Sequence, residues 1–207
     1  GSGAGGSSYT GGLSSVTNTQ RHTNSAYVEI TYQAPPGSIS DLSATAVSSD
    51  QIDLSFTPAN NADDHNVYRS TESGVTSSDQ LVGTTGDGSF SDAGVLDGTE
   101  YHYRVAGTNA VGEGPLSNEA NATTPLPAPT DLVASNVDAS SVDLTWVATH
   151  DNGETRVEAR EDDSGGWTVS ETVAYDVESA TITGLLNGQL YGLRVVADTG
   201  DAEEVDV

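Results

Sequence analysis

Histidine, serine and paired carboxylates are the residue types here that could carry proton, nucleophile or metal chemistry. The four histidines, His22, His65, His102 and His150, are widely separated, with none of the i, i+4 spacing that sets two imidazoles on one helix face. Serines are abundant, yet none sits in a G-x-S-x-G turn. The Gly-rich start is not followed by Lys-Ser/Thr, so it makes no phosphate loop. The expected catalytic, cofactor-binding and metal sets are therefore empty, and the chain is not expected to be an enzyme.

Two acidic stretches and one tryptophan come nearest to a site. Asp87-Gly88-Ser89-Phe90-Ser91-Asp92 resembles the start of a calcium loop, but the twelfth position from Asp87 is Gly98 rather than a bidentate glutamate. Asp162-Asp163-Ser164-Gly165-Gly166 is expected to be a solvated hairpin turn. Trp167 follows it and is expected as a lid over a core, with a sugar-stacking platform as the alternative. Asn121-Ala122-Thr123 is a glycosylation sequon, which makes Asn121 the one candidate modification site.

Charge excludes whole classes of partner. All six basic residues are arginine, there are 31 acids, and the net charge is −25 over 207 residues. Nucleic acid and anionic membranes need clustered cations, so neither is an expected partner. No apolar run reaches the length of a membrane span, so no membrane insertion is expected. Leu, Ile, Val and Phe make up just under a fifth of the chain, which with such charge would ordinarily indicate disorder. Molar salt offers another account: at a screening length of about 3 Å the carboxylates hardly repel one another. The charge is also uneven, being zero over residues 1–36, −11 over 37–125 and −14 over 126–207. Cysteine is absent, so no disulfide framework exists.

Order is argued by an internal repeat. Asp41-Leu42 recurs as Asp131-Leu132, Asp53-Leu54-Ser55-Phe56 as Asp143-Leu144-Thr145-Trp146, Leu96-Asp97-Gly98 as Leu186-Asn187-Gly188, Tyr101 as Tyr191 and Arg104-Val105 as Arg194-Val195, all offset by 90. Within each unit the apolar period is two. Ile52, Leu54 and Phe56 alternate with polar residues, as do Val142, Leu144 and Trp146, and the same holds for Tyr101, Tyr103 and Val105. Short alternating runs between Gly, Asp, Asn and Ser turns predict an all-β sandwich used twice.

The stretch Val95-Leu96-Asp97-Gly98-Thr99-Glu100-Tyr101-His102-Tyr103-Arg104-Val105-Ala106 resembles the E–F corner and F strand of fibronectin type III domains. Asn109-Ala110-Val111-Gly112-Glu113-Gly114-Pro115-Leu116-Ser117 is similar to their F–G loop and G strand. The resemblance implies two immunoglobulin-like β-sandwiches, at 35–125 and 126–207. It implies tyrosine corners at Tyr101 and Tyr191, and a core B-strand aromatic at Trp146, with Phe56 in its place in the first module. It also implies an outward His102, His150 in a B–C loop, and residues 87–92 as the start of strand E. His65 stands where an aromatic is usual, and the last strand, around Val205 and Val207, is expected to be short. Thr124-Pro125-Leu126-Pro127-Ala128-Pro129 predicts an extended linker with limited freedom.

Residues 1–34 are Gly/Ser-rich and end in the alternating Ala26-Tyr27-Val28-Glu29-Ile30-Thr31-Tyr32. They are similar to the tail end of glycine-rich β domains in tail-fibre and surface proteins of viruses that infect prokaryotes; a plain flexible leader is the alternative. This head, net neutral with Glu29 and Arg21, is expected to anchor the chain to other protein chains of an assembly. The strand has no evident partner within its own sequence. The resemblance implies an extracellular, non-catalytic structural or adhesive protein. A virion-surface component of a virus of halophiles is expected, meeting a host-surface glycan or protein. A halophile's cell-surface protein and the appendage of a secreted hydrolase are the alternatives.

Overall fold

A computed structural model describes residues 15–17, 29–31, 33–161, 165–200 and 203–206, and the described residues form an all-β chain. The first sandwich contains β3 (Ser43–Ser48), β4 (Gln51–Ser55), β5 (Asp64–Ser70), β6 (Gln80–Thr85), β7 (Ser89–Asp92), β8 (Glu100–Asn109), β9 (Gly112–Glu113) and β10 (Ala120–Thr123). One sheet runs β3-β4-β7 and faces a second, β10-β8-β5-β6, with β9 also on β8. The second sandwich repeats this with β11 (Thr130–Ser135), β12 (Ser141–Val147), β13 (Glu154–Glu161), β14 (Thr168–Ala174), β15 (Ser179–Thr183), β16 (Tyr191–Asp198) and β17 (Glu203–Asp206). Its sheets are β11-β12-β15 and β14-β13-β16-β17, all antiparallel.

The two-residue period fixes what each sheet buries. Ile52, Leu54 and Phe56 enter the first core with Val67, Val95, Tyr101, Tyr103 and Val105. Val142, Leu144 and Trp146 enter the second with Val157, Ile182 and Val195. His65 joins the first core edge-on to Phe56, with ring centroids 5.2 Å apart. Its Nε2 accepts the Ala59 N–H at 3.0 Å and its Nδ1 donates to the Thr85 carbonyl at 3.2 Å. The histidine thus ties the β4–β5 connection to β6 and leaves no ring nitrogen unpaired. Beside it, Arg69, Asp92 and Tyr103 form a buried polar cluster. Asp92 accepts from the Arg69 guanidinium at 2.8 Å and from the Tyr103 hydroxyl at 3.0 Å.

The 90-residue offset also sorts the last strands. Thr108 pairs with Glu113 and Asp198 pairs with Glu203, so β17 is the counterpart of β9 and the residues after it, not of β10.

The expectation that the Tyr27–Tyr32 strand lacks a partner in its own chain is corrected. Within it, β2 (Glu29–Thr31) pairs antiparallel with β1 (Ser15–Thr17), Val16 opposite Ile30, as a two-stranded sheet separate from both sandwiches. Backbone donors and acceptors must be satisfied somewhere, and a neighbouring stretch of the same head supplies the ladder. Tyr27, Val28, Tyr32 and the Gly-rich run 1–12 lie outside the described residues.

Two core substitutions test this register. Trp146 is 3% exposed, so Trp146→Ala should cost about 3–5 kcal/mol in a denaturant titration. Asp92→Ala strands the Arg69 charge in the first core and should cost a similar ~3–5 kcal/mol. A loss below about 0.5 kcal/mol for either, the usual effect at a surface position, would contradict the burial described.

Candidate functional site at the module joint

The turn between β7 and β8 ends in Asp97-Gly98, with Gly98 at φ +57. That left-handed conformation suits glycine, and space demands it as well. A Cβ there would lie 3.0 Å from the Thr199 side chain and 3.1 Å from Leu126 Cβ. Both neighbours belong to the sequence beyond the first sandwich, so this turn is where the modules meet.

The meeting is hydrogen-bonded in both directions. The Asp97 N–H donates to Asp151 Oδ1 at 3.1 Å, and the Asp151 N–H donates to Asp97 Oδ2 at 2.9 Å. Asn152 Nδ2 donates to the Thr99 hydroxyl at 3.1 Å and to the Asp97 carbonyl at 3.4 Å, while the Thr199 hydroxyl donates to the Gly98 carbonyl at 3.0 Å. The linker is held as well: Gly98 N–H reaches the Pro125 carbonyl at 3.3 Å, and Thr124 Oγ1 donates to Leu96 O at 2.6 Å. Leu126 is buried against this turn. A proline-rich extended linker was legible in the sequence; that it is fastened along its length was not.

Two carboxylates across one joint make the electrostatics costly. Burial pushes the Asp97 carboxyl above its ordinary range, the Ser49 hydroxyl and the Asp151 N–H pull it back, and the Asp151 charge raises it again. Behind Asp151, His150 is buried, with its Nε2 3.3 Å from the Thr155 hydroxyl and its ring edge-on to Tyr175. Its burial holds the imidazole below the usual histidine value, against the opposing pull of the Glu154 backbone, Asp97 and Asp151. A polar cleft of about 650 Å3 flanks the joint, bordered by Thr71, Glu72, Thr99, Glu100, Asn152 and Thr199.

The residues singled out in the sequence fall in varied places. Phe56 and Trp146 lie in the two cores, 7% and 3% exposed. Tyr101 is buried and Tyr191 half-buried, and their hydroxyls accept the Leu96 and Leu186 N–H groups at 3.1 Å. Asn121 is exposed on β10, its amide donating to Glu100 Oε1 at 2.5 Å. His102 is half-buried on β8 between Glu100 and Glu119. His150 lies in the loop between β12 and β13, as the resemblance implies, and is buried there, while His65 is buried in the first core.

Trp167 is corrected too. It does not join the second core but stacks with the guanidiniums of Arg160 at 4.6 Å and Arg194 at 4.3 Å. Arg194 is itself paired to Glu158 at 2.6 Å. His22 and Asp162 to Ser164 lie outside the described residues. Among the described residues no group of three or more His, Cys, Asp and Glu side chains is arranged to hold a metal ion. No described helix is long and apolar enough to cross a membrane.

Two outcomes test the joint. Asp97→Ala leaves the Asp151 N–H without its acceptor, a loss of about 1–3 kcal/mol. The two sandwiches, which should share one rotational correlation time by NMR relaxation, should then tumble separately; a common time in the variant would show that the reciprocal bonds do not couple them. For His150 the folded pKa lies below the unfolded one, so the unfolded state binds the extra proton. Stability is then full above the ordinary value of 6.5 and falls as pH drops below it. Thermal melts from pH 7.5 to pH 5.5 should show this loss, and His150→Gln should flatten it.

A family model for the fibronectin type III domain matches residues 127–205. A two-domain fibronectin type III segment of chicken tenascin superposes with a TM-score of 0.65 at 17% identity, covering 81% of this chain and 95% of the tenascin segment. A fibronectin type III-like protein from Clostridium thermocellum is 30% identical over 45% of this chain and 98% of its own length, with a TM-score of 0.40. The tenascin match spans both sandwiches, in keeping with the duplicated strand order described above. Residues 127–205 form a fibronectin type III domain, and the chain has the fold of two such domains in tandem.

Proposed function

We propose that this chain is a non-catalytic structural or adhesive part of an extracellular surface, acting as a stiff two-module projection. The observation that carries this is the joint: Asp97 and Asp151 bond each other's backbone while Thr199 and Leu126 close on Gly98. A spacer that presents a surface at a fixed distance needs that coupling, whereas independent modules on a free linker do not. Fibronectin type III domains are typically adhesive or structural modules and generally not enzymes, and they are often extracellular.

The finer reading is a virion-surface or tail-fibre-type component of a virus infecting a halophile. Its head of net zero charge, residues 1–34, docks to other chains of the particle. Support comes from the charge partition, zero on the head and −11 and −14 on the sandwiches, because interface cores are depleted of acidic residues. Support for high salt comes from 31 acids against six arginines.

One experiment addresses each part. The melting temperature should climb steeply from dilute buffer to molar KCl, and independence of salt would remove the halophile reading. Gold-labelled antibody to the chain should decorate projections on virus particles from an infected halophile culture. Label confined to the envelopes of uninfected cells would replace the virion reading with a cell-surface one.

A further inference from the structure

Asn121-Ala122-Thr123 is the one Asn-x-Ser/Thr triplet in the chain, and the two-residue period of β10 decides how it is presented. Ala120 and Ala122 pack against the first core, so Asn121 and Thr123 share the outer face, where both are exposed. β10 is also an edge of its sheet, bonded to β8 along one side. An attaching enzyme can therefore reach the amide and the hydroxyl together, as the chemistry of the triplet requires.

Strand register sets what lies beside the triplet. Asn121 stands opposite His102, and Thr123 opposite Glu100. Asn121 Nδ2 donates to Glu100 Oε1 at 2.5 Å, so one of its two N–H bonds goes to that carboxylate and the other is the one a sugar can replace. Glu100 and Thr123 also border the polar cleft of about 650 Å3 at the module joint. Its further walls include Thr71 and Glu72 of the first sandwich and Asn152 and Thr199 of the second, so both modules enclose it. A space of that size takes a small ligand. Walls of hydroxyls, an amide and carboxylates match the hydroxyls of a sugar rather than an apolar group.

We propose that Asn121 carries an N-linked glycan whose first sugars lie in this cleft and bridge the two modules. The donor is an oligosaccharide held on a lipid phosphate. Asn121 Nδ2 bonds to the sugar C1, and the bond from C1 to the phosphate oxygen breaks with its electron pair staying on that oxygen. The amide proton passes to the phosphate leaving group. The Glu72 and Glu100 carboxylates then accept bonds from sugar hydroxyls, on the side of the cleft that faces Asn152 and Thr199. Those two residues already donate to the Thr99 hydroxyl and the Gly98 carbonyl. A sugar seated against them therefore holds closed the contacts that couple the sandwiches. The modification rests on the extracellular reading above, since the transfer takes place on exported chains.

The test uses the full chain secreted from a host that N-glycosylates its exported proteins, with a second Asn-Ala-Thr triplet appended at the C terminus as an internal control. Trypsin, cutting after Arg104 and Arg156, releases Asn121 within peptide 105–156, and this peptide should gain the mass of the glycan. Asn121→Gln and Thr123→Val should each remove the gain, while Thr123→Ser should keep it. Hydrogen exchange at the Asp97 and Asp151 N–H groups should be several-fold slower in the glycosylated chain than in Asn121→Gln. A modified terminal triplet beside an unmodified Asn121 would overturn the proposal and leave the extracellular reading standing. Equal exchange at Asp97 and Asp151 with Asn121 glycosylated would overturn it too, because the glycan would then hang free in solvent.

Discussion

A scarcity of large apolar side chains is the constraint on which the rest of this structure depends. With Leu, Ile, Val and Phe below a fifth of the residues, two sandwich cores cannot be built from hydrocarbon alone. Polar groups are drawn inside, and several are placed where they find partners, because an unpaired buried donor or acceptor costs about 1–3 kcal/mol. His65 spans Ala59 and Thr85. Ser117 accepts the Val105 N–H and donates to the Asn118 carbonyl. Asp92 gathers Arg69 and Tyr103, and burial, with the Asp92 charge beside it, raises the Tyr103 phenol far above its ordinary value.

The two modules meet that constraint differently. The first keeps a buried ion pair, whose desolvation cost is offset by the further bonds of Arg69 to Gly94 and Gln80 and by the Tyr101 ring against it. The second has Ala159, Ile182 and Leu193 at the positions offset by 90 from Arg69, Asp92 and Tyr103, which removes the charge burden. Replacing all partners together matters, since losing only one of them would leave a charge or a hydroxyl stranded in the core.

The same economy appears at the joint. Few apolar residues are left to weld the modules, and Leu126 is the main one buried there. Directional bonds take over, with each aspartate capping the other's backbone N–H. Such bonds are short-ranged and orientation-dependent, so they fix an angle more sharply than a greasy contact of the same size would. They also place two carboxylates together, which salt screens only weakly where Asp97 is buried.

By itself the sequence determined the fold class and most of both cores. Those rest on local period and on a repeat at constant offset, and both survive in a linear string. Ile52, Leu54 and Phe56, and likewise Val142, Leu144 and Trp146, could be assigned to one face because strand geometry forces alternation. Only the tertiary structure decided which polar residues meet. Asp97 and Asp151 lie 54 residues apart, and nothing local to either marks it as the other's partner. Trp167 read as a lid because an amphipathic ring usually packs on a core, yet Arg160, Arg194 and the bare Gly192 between them offered a flat seat on the outer face. The strand at Glu29–Thr31 read as unpartnered because its mate, Ser15–Thr17, is too short to show a period. In each case the deciding quantity was a distance between side chains or strands remote in sequence, which alternation and spacing do not encode.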